Sequence, residues 1–178
     1  MDAKGNSIRA GVGGSLTVST PTDRDVQMTR VFDAPRRLVY DAMTKPELLK
    51  QWLFGPDGWS LEVCEIDLRV GGAFRYVWRG PGGQTMGMRG VFREISPPER
   101  VVQTERFDDP WYEGEAVGTL VLVERAGQTH LTLTVRYASQ AVRDAVLKTG
   151  MAGGVAAGYD RLAGLLPGMA AALRVARE

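Results

Sequence analysis

The sequence predicts an α+β fold in which an antiparallel sheet curls around a long C-terminal helix. The order of local patterns is one strand, two short helices, about six further strands and a long helix, which is typical of helices gathered on one side of an antiparallel sheet. The long helix is expected over residues 139–166, where apolar residues recur at helical spacing. Four glycines fall in this helix, at Gly150, Gly153, Gly154 and Gly158, and each interior glycine costs about 0.5–1 kcal/mol relative to alanine. They indicate either close packing of helix on sheet or a hollow between the two.

Composition is that of an ordinary globular chain. The 178 residues suffice for one domain with a sizeable core, and 22 Lys plus Arg against 21 Asp plus Glu give no reason to expect a nucleic acid or an acidic membrane surface. A single cysteine and a single histidine exclude an internal disulfide and argue against a metal cluster. We expect a cytoplasmic protein with one domain over residues 15–168. Residues 1–14 are expected to be disordered, and residues 169–178 to form a tail whose helical character stays open.

The first elements are short. Residues 15–20 form an edge strand at best, residues 26–32 alternate as a strand, and a helix follows from Pro35 to about residue 43. A second helix starts at Pro46 and ends before the turn at residues 55–58.

The middle strands carry the clearest alternation. Residues 60–68 change parity, which indicates a bulge, whereas rings at Phe74, Tyr76 and Trp78 alternate with cations and predict an inward face. If residues 80–84 form a five-residue hairpin loop, Trp78 faces Met86, Tyr76 faces Met88 and Phe74 faces Gly90. The four arginines of this hairpin then point outward, where pairing with acids is expected and contact with phosphate is the alternative: Arg75, Arg79, Arg89 and Arg93.

The last strands precede the long helix. In residues 100–107, Glu105 shares one side with Val101, Gln103 and Phe107. A loop over residues 108–114 follows, then a hairpin of residues 115–124 and 128–137 that places His130 on the outer face. Residues 166–168 close or kink the helix.

Several strings in this order resemble the SRPBCC superfamily, whose START-like members have the helix-grip fold. Within it the chain is similar to the group named after the activator of the heat-shock-protein-90 ATPase. The resemblance covers about residues 26–166 and rests on RVFDAP at 30–35, VYDAMTKPE at 39–47, DLRVGG at 67–72, EISPPER at 94–100, and the helix end at 154–166.

The resemblance implies a curved sheet gripping the long helix, with an apolar cavity between them that binds hydrophobic small molecules in many relatives. Two positions depart from the family pattern. Val155 stands after Gly154 where relatives often carry a tryptophan, and Glu105 stands where many carry an aromatic residue. Both changes would enlarge or polarise the cavity, which favours a ligand site.

The candidate ligand-binding residues are mostly aromatic or sulfur-containing, side chains that make adaptable walls for apolar ligands. They are Trp52, Trp78, Met86, Met88, Glu105, Trp111, Tyr112, Met151, Val155 and Tyr159. For most of them ordinary core packing is the alternative. Glu105 and Tyr112 are the candidates for catalysis, with Glu105 as anchor or general base; alternatively, Glu105 reaches solvent or pairs with an arginine.

Other conspicuous residues favour structural roles. His130 is expected to be exposed, Cys64 to be a small buried residue, and the glycines at 80–83 to form a hairpin tip because the lysine and helix of a phosphate loop are missing. No metal site and no cofactor are expected.

Three functions compete. The preferred one is a protein that carries, sequesters or senses a hydrophobic or amphipathic small molecule. The second is a cyclase- or hydrolase-type enzyme using the same cavity. The third is a module that binds a heat-shock chaperone in a stress response, which the family name implies. No nucleic-acid or membrane partner is expected, and homodimerisation stays open.

Overall fold

Antiparallel pairing organises most of the chain in the computed structural model, which describes residues 8–9 and 14–176. In that part of the chain nine strands form one sheet, in the order β1-β2-β3-β9-β8-β7-β6-β5-β4. The strands are β1 (Ile8–Arg9), β2 (Thr17–Ser19), β3 (Asp25–Phe32), β4 (Ser60–Ile66), β5 (Ala73–Arg79), β6 (Thr85–Ser96), β7 (Arg100–Phe107), β8 (Ala116–Arg125) and β9 (Gln128–Arg136). The helices are α1 (Arg36–Thr44), α2 (Pro46–Leu49), α3 (Gln140–Leu147) and α4 (Met151–Val175).

The predicted α+β class, with a curved sheet and a long C-terminal helix, is confirmed. The sheet has more strands than the six or seven expected, because the short strands β1 and β2 extend it beyond β3. The predicted disorder of residues 1–14 falls mostly outside the described residues. None of the described helices is long and apolar enough to cross a membrane.

The β5–β6 hairpin has the predicted register. Trp78 lies opposite Met86, Tyr76 opposite Met88 and Phe74 opposite Gly90. A side chain at Gly90 would collide with the carbonyl oxygen of Thr104 and with the Phe74 ring, so the aromatic residue covers the space that the glycine leaves open. The parity change in β4 is a register shift between Leu61 and Val63, as expected for a bulge.

The C-terminal helical region differs from the prediction of one helix over residues 139–166. Helix α3 is capped by Ser139, whose hydroxyl accepts a hydrogen bond from the Val142 backbone N–H, and it ends at Leu147. Gly150 then takes the left-handed conformation with φ of 77° and precedes α4. Helix α4 continues through Pro167 to Val175, although a proline inside a helix removes one backbone hydrogen bond.

The core is dense at one end of the covered part of α4. Tyr159, Leu162 and Leu166 are buried there, and Phe32 packs edge-on against Tyr159 with ring centroids 5.7 Å apart. The preceding turns of α4 carry smaller or half-buried side chains, so the space between helix and sheet opens toward the start of α4.

Candidate functional site

A cavity of ≈ 740 Å³ lies between the concave face of the sheet and the first turns of α4. Strands β3 to β9 form its floor, α4 and the end of α3 form one wall, and the segment after α2 forms another. The inward face of the sheet therefore meets open space at this end and packed side chains at the other.

All ten residues predicted from the sequence as ligand contacts line this cavity. They are Trp52, Trp78, Met86, Met88, Glu105, Trp111, Tyr112, Met151, Val155 and Tyr159. Trp78, Met88 and Tyr159 lie on its walls without filling it. That any of the ten binds a ligand remains a prediction.

Two tryptophans hold one wall in place through their polar edges. The Trp52 indole N–H donates to the Ala42 carbonyl at 3.0 Å, and the Trp78 indole N–H donates to the Leu53 carbonyl at 2.8 Å. Both indole donors are thereby satisfied within the protein, so the two rings offer apolar surface to the cavity.

The glycines of the C-terminal region serve different purposes. A side chain at Gly158 would touch the Trp52 ring at 3.6 Å, so this glycine allows the helix to approach the wall closely. A Cβ at Gly154 would meet nothing within 4 Å, and Gly154 lines the cavity. Gly153 also has open space but is not part of the cavity lining, and Gly150 is the left-handed residue before the helix. Thus Gly158 packs tightly and Gly154 leaves space.

Glu105 is the one acidic residue among the described residues that line the cavity. Its carboxylate accepts a hydrogen bond from the Gln103 side-chain amide at 3.4 Å. A Cβ built on Gly118, in the neighbouring strand β8, would lie 2.5 Å from Glu105 Oε1, so the glycine leaves the place that the carboxylate occupies. Desolvation raises the pKa of Glu105 to about 7, and the Gln103 hydrogen bond offsets part of that rise.

Four tyrosines on the cavity walls lie within electrostatic range of Glu105. Tyr76 belongs to β5, Tyr112 to the loop after β7, Tyr137 follows β9, and Tyr159 belongs to α4. Burial and then the negative charge of Glu105 raise the pKa of Tyr112 to about 12, and the same two causes contribute to raising the pKa of Tyr137 and Tyr159. For Tyr76, Cys64 adds a contribution larger than that of Glu105. These phenols are therefore neutral near pH 7.

The cavity reaches solvent beside Trp111 and Met86, which line it and are 48% and 38% exposed. Trp111 packs edge-on against Tyr112 with ring centroids 4.7 Å apart, and Tyr112 packs edge-on against Tyr137 at 5.7 Å, which ties the loop to the cavity wall. On the other side, Arg161 of α4 donates to the Gly55 carbonyl at 2.8 Å and lies 4.2 Å from the Phe54 ring centroid. Gly55 lines the cavity, so Arg161 positions that part of its rim.

The family is identified by sequence. Residues 33–167 match the model of the family described as Activator of Hsp90 ATPase homolog 1-like protein. The chain belongs to this family, and through it to the SRPBCC superfamily. No functionally curated protein matches the chain in sequence.

Solved structures with the same fold extend the comparison. A protein from Rhodobacter sphaeroides is 33% identical, with a TM-score of 0.81 over 86% of this chain and 98% of that one. A Nitrosomonas europaea protein is 26% identical, with a TM-score of 0.75 over 85% and 99%. An HSP90 activator from Plasmodium falciparum is 22% identical, with a TM-score of 0.55 over 74% and 89%, and at that identity the likeness concerns the fold alone.

In this member of the Hsp90 ATPase activator homologue family, the arginines of the hairpin lie on the outer face and pair with acids. Arg75 and Arg89 both contact Asp108, Arg79 contacts Glu62, and Arg93 contacts Glu115. His130 also lies in an outward position and is half-buried rather than exposed, because it sits on the central strand β9 between Val31 and Val123.

Cys64 is buried, and desolvation raises the pKa of its thiol to about 11, so the thiolate is scarce near neutral pH. Within the described part of the chain, no group of three or more His, Cys, Asp or Glu side chains is placed to hold a metal ion.

Sequence reasoning did not include some residues that shape the polar end of the cavity. Tyr137 continues the inward alternation of Leu131, Leu133 and Val135, so parity could have identified it. Gln103 was placed on the inward side but not connected with Glu105. The role of Gly118 depends on the pairing of β7 with β8, which the local pattern does not specify.

Proposed function

We propose that this protein binds an apolar or amphipathic small molecule in the cavity between α4 and the sheet. The observation that carries the proposal is the cavity itself, because ≈ 740 Å³ falls within the range of about 300–1,000 Å³ typical of small-molecule sites. Most of its lining is aliphatic, aromatic or methionine side chain, with a few polar groups near Glu105. Such walls favour a ligand with a large apolar body.

The sequence of α4 supports this interpretation. Gly154 and Val155 leave space where longer side chains could pack against the sheet, and an unfilled gap forfeits the dispersion contacts of a solid core. A ligand would restore those contacts. The neighbouring turn at Tyr159 packs solidly, so the fold itself does not require the gap.

Titration with N-phenyl-1-naphthylamine, a neutral fluorescent probe, tests the proposal. The substitution Val155→Trp places a bulky ring in the cavity and should weaken probe binding about tenfold or more. Gly153→Trp adds the same ring two residues earlier, on an exposed position with open space around it, and should leave binding unchanged. Equal affinities in both variants, or no binding to the parent protein, would reject the cavity as a ligand site. Native mass spectrometry of protein from its own cells then identifies a co-purifying ligand.

Glu105 supports an enzyme as the second candidate function. A carboxyl group with a pKa of about 7 suits general acid–base chemistry near neutral pH, and Tyr112 is a polar group on the same cavity. If turnover of a screened substrate persists in Glu105→Gln, Glu105 is not the base.

Family membership supports a chaperone partner as the third candidate. The family is described by likeness to an activator of the Hsp90 ATPase, and Trp111 offers an exposed aromatic side chain on a loop. The ATPase rate of purified Hsp90 should rise in the presence of the protein, and Trp111→Ala should abolish the rise. An unchanged rate with the parent protein would reject this function.

A further inference from the structure

We propose that the cavity selects ligands with a cationic amine head on an apolar body, and that the ammonium group contacts Glu105. This inference rests on the proposed ligand-binding function and specifies its ligand class.

The cavity lining carries one acidic side chain and no basic one among the described residues. None of these described residues is lysine, arginine or histidine, and Glu105 is the single acidic side chain. Its hydrogen-bond partner within the protein is the neutral amide of Gln103. A carboxylate in a desolvated site without a counter-charge binds a cation favourably, whereas a ligand carboxylate would meet repulsion there.

Tyrosines from several elements surround Glu105. The charge of Glu105 acts on Tyr76 from β5, Tyr112 from the loop, Tyr137 after β9 and Tyr159 from α4. None of these carries a charge near neutral pH. Arg30 of β3 influences Tyr159 electrostatically but contacts Asp160 at 2.7 Å through its guanidinium, so its charge is partly compensated there.

Aromatic side chains cluster at this end of the cavity. Tyr112 packs edge-on against Tyr137 and Phe107, with ring centroids 5.7 Å and 6.4 Å apart. Faces of aromatic rings carry negative charge density and attract ammonium groups, and a carboxylate among several rings is a combination that recognises amines. A neutral alcohol would gain much less from the same surroundings.

The Glu105 carboxylate has space on the cavity side. Gly118 leaves room for Glu105 Oε1 beside strand β8, and the rest of the side chain borders the cavity. The carboxylate can therefore stay hydrogen-bonded to Gln103 while an ammonium group approaches from the cavity side. Because the pKa of Glu105 is about 7, its carboxylate is mostly charged at pH 8 and mostly neutral at pH 6.

Competition against the neutral probe with decylamine, decan-1-ol and decanoic acid tests the inference, since the three share one chain and differ in the head group. At pH 8 decylamine should bind about tenfold or more tightly than decan-1-ol, and decanoic acid should bind most weakly. At pH 6 the preference for the amine should shrink, because decylamine stays cationic while Glu105 takes up a proton.

Glu105→Gln keeps the shape of the side chain and should remove the amine preference while changing decan-1-ol affinity less than about threefold. Glu65→Gln removes an exposed carboxylate on β4, outside the cavity lining, and should retain the preference. Val155→Trp should weaken all three ligands, which separates cavity binding from adsorption at the surface.

Two results would overturn the inference: equal affinities of amine and alcohol at pH 8, or an amine preference that survives Glu105→Gln. If decan-1-ol binds and Val155→Trp abolishes its binding, the proposed function stands even when the inference fails. If no ligand or probe binds the parent protein, both fail.

Discussion

Two carboxylates close together in the chain have opposite surroundings. Glu105 lies on the inner face of β7 and meets the neutral Gln103 amide, and desolvation raises its pKa to about 7. Asp108 follows the same strand on the outer face, where Arg75 Nη1 donates to it at 2.8 Å and Arg89 Nη1 at 3.1 Å. The hydrogen bond from Arg75, followed by the charges of Arg75 and Arg89, lowers the pKa of Asp108.

Both carboxylates lie against a glycine of a neighbouring strand. Gly118 leaves space for Glu105, and Gly87 leaves space for Asp108. What differs is the counter-charge: the outer site contains two guanidinium groups, whereas the described walls of the inner cavity contain none. The outer carboxylate is therefore part of a completed ion-pair network, whereas the inner one has no cationic partner among the described residues that line the cavity.

The largest effect is expected from Glu105→Gln on the pH dependence of stability. Since folding raises the pKa of Glu105 from its ordinary 4.5 to about 7, the folded state binds more protons than the unfolded state between these values. The free energy of unfolding should therefore fall as pH rises through this window. The fall is about 3 kcal/mol at most, since solvent that enters the cavity reduces the effect of desolvation on Glu105. Urea denaturation at pH 5 and pH 8 measures the fall, which Glu105→Gln should largely remove. An identical fall in the variant would contradict the assignment.

Gly87→Ala should have the next largest effect. An added methyl group would collide with Asp108 Oδ2 and approach Arg75 Nη1 to 2.8 Å, and Asp108 is also held by its backbone N–H to the Gly87 carbonyl at 2.9 Å. We expect a loss of about 2 kcal/mol in the free energy of unfolding, measured by urea denaturation. If Gly87→Ala lowers the free energy of unfolding by less than Gly118→Ala does, the contacts around Asp108 adapt more easily than those around Glu105.

Asp108→Asn should cost about 1 kcal/mol, because the ion pairs with Arg75 and Arg89 are partly exposed and screened by solvent. The lowered pKa means that this stabilisation is present above the ordinary pKa of the carboxyl group and is lost as pH falls through the folded-state value. A double-mutant cycle with Arg75→Ala, at low and high salt, measures the coupling. A coupling that is zero at low salt would refute the network.

Gly118→Ala should have the smallest effect, below about 1 kcal/mol. The methyl group would meet Glu105 Oε1, the end of a flexible side chain that can move toward the cavity. Thermal unfolding compares this variant with Gly87→Ala, the matched change on the outer face. A cost equal to that of Gly87→Ala would indicate that Glu105 is as firmly held as Asp108.

Local pattern predicted the parts of the fold that depend on alternation. Side chains alternate with a period of two along a strand, so the rings of β5 identified the inner face and the short loop determined its pairing with β6. The same alternation predicted that Glu105 lies on the concave face of the sheet and Arg75 on the opposite face. Local pattern failed where backbone conformation decided the outcome, at the left-handed Gly150 and at Pro167 within α4.

By itself, then, the sequence determined the α+β class, the inner and outer faces of the clearly alternating strands, and the family. Only the tertiary structure decided which side chains meet. Tyr76, Tyr112, Tyr137 and Tyr159 approach Glu105 from four separate elements, and the two arginines of the β5–β6 hairpin reach Asp108 instead. The physical reason is that alternation specifies a direction, whereas the distance between two charges, and hence their pKa, depends on strand pairing and sheet curvature across the whole chain.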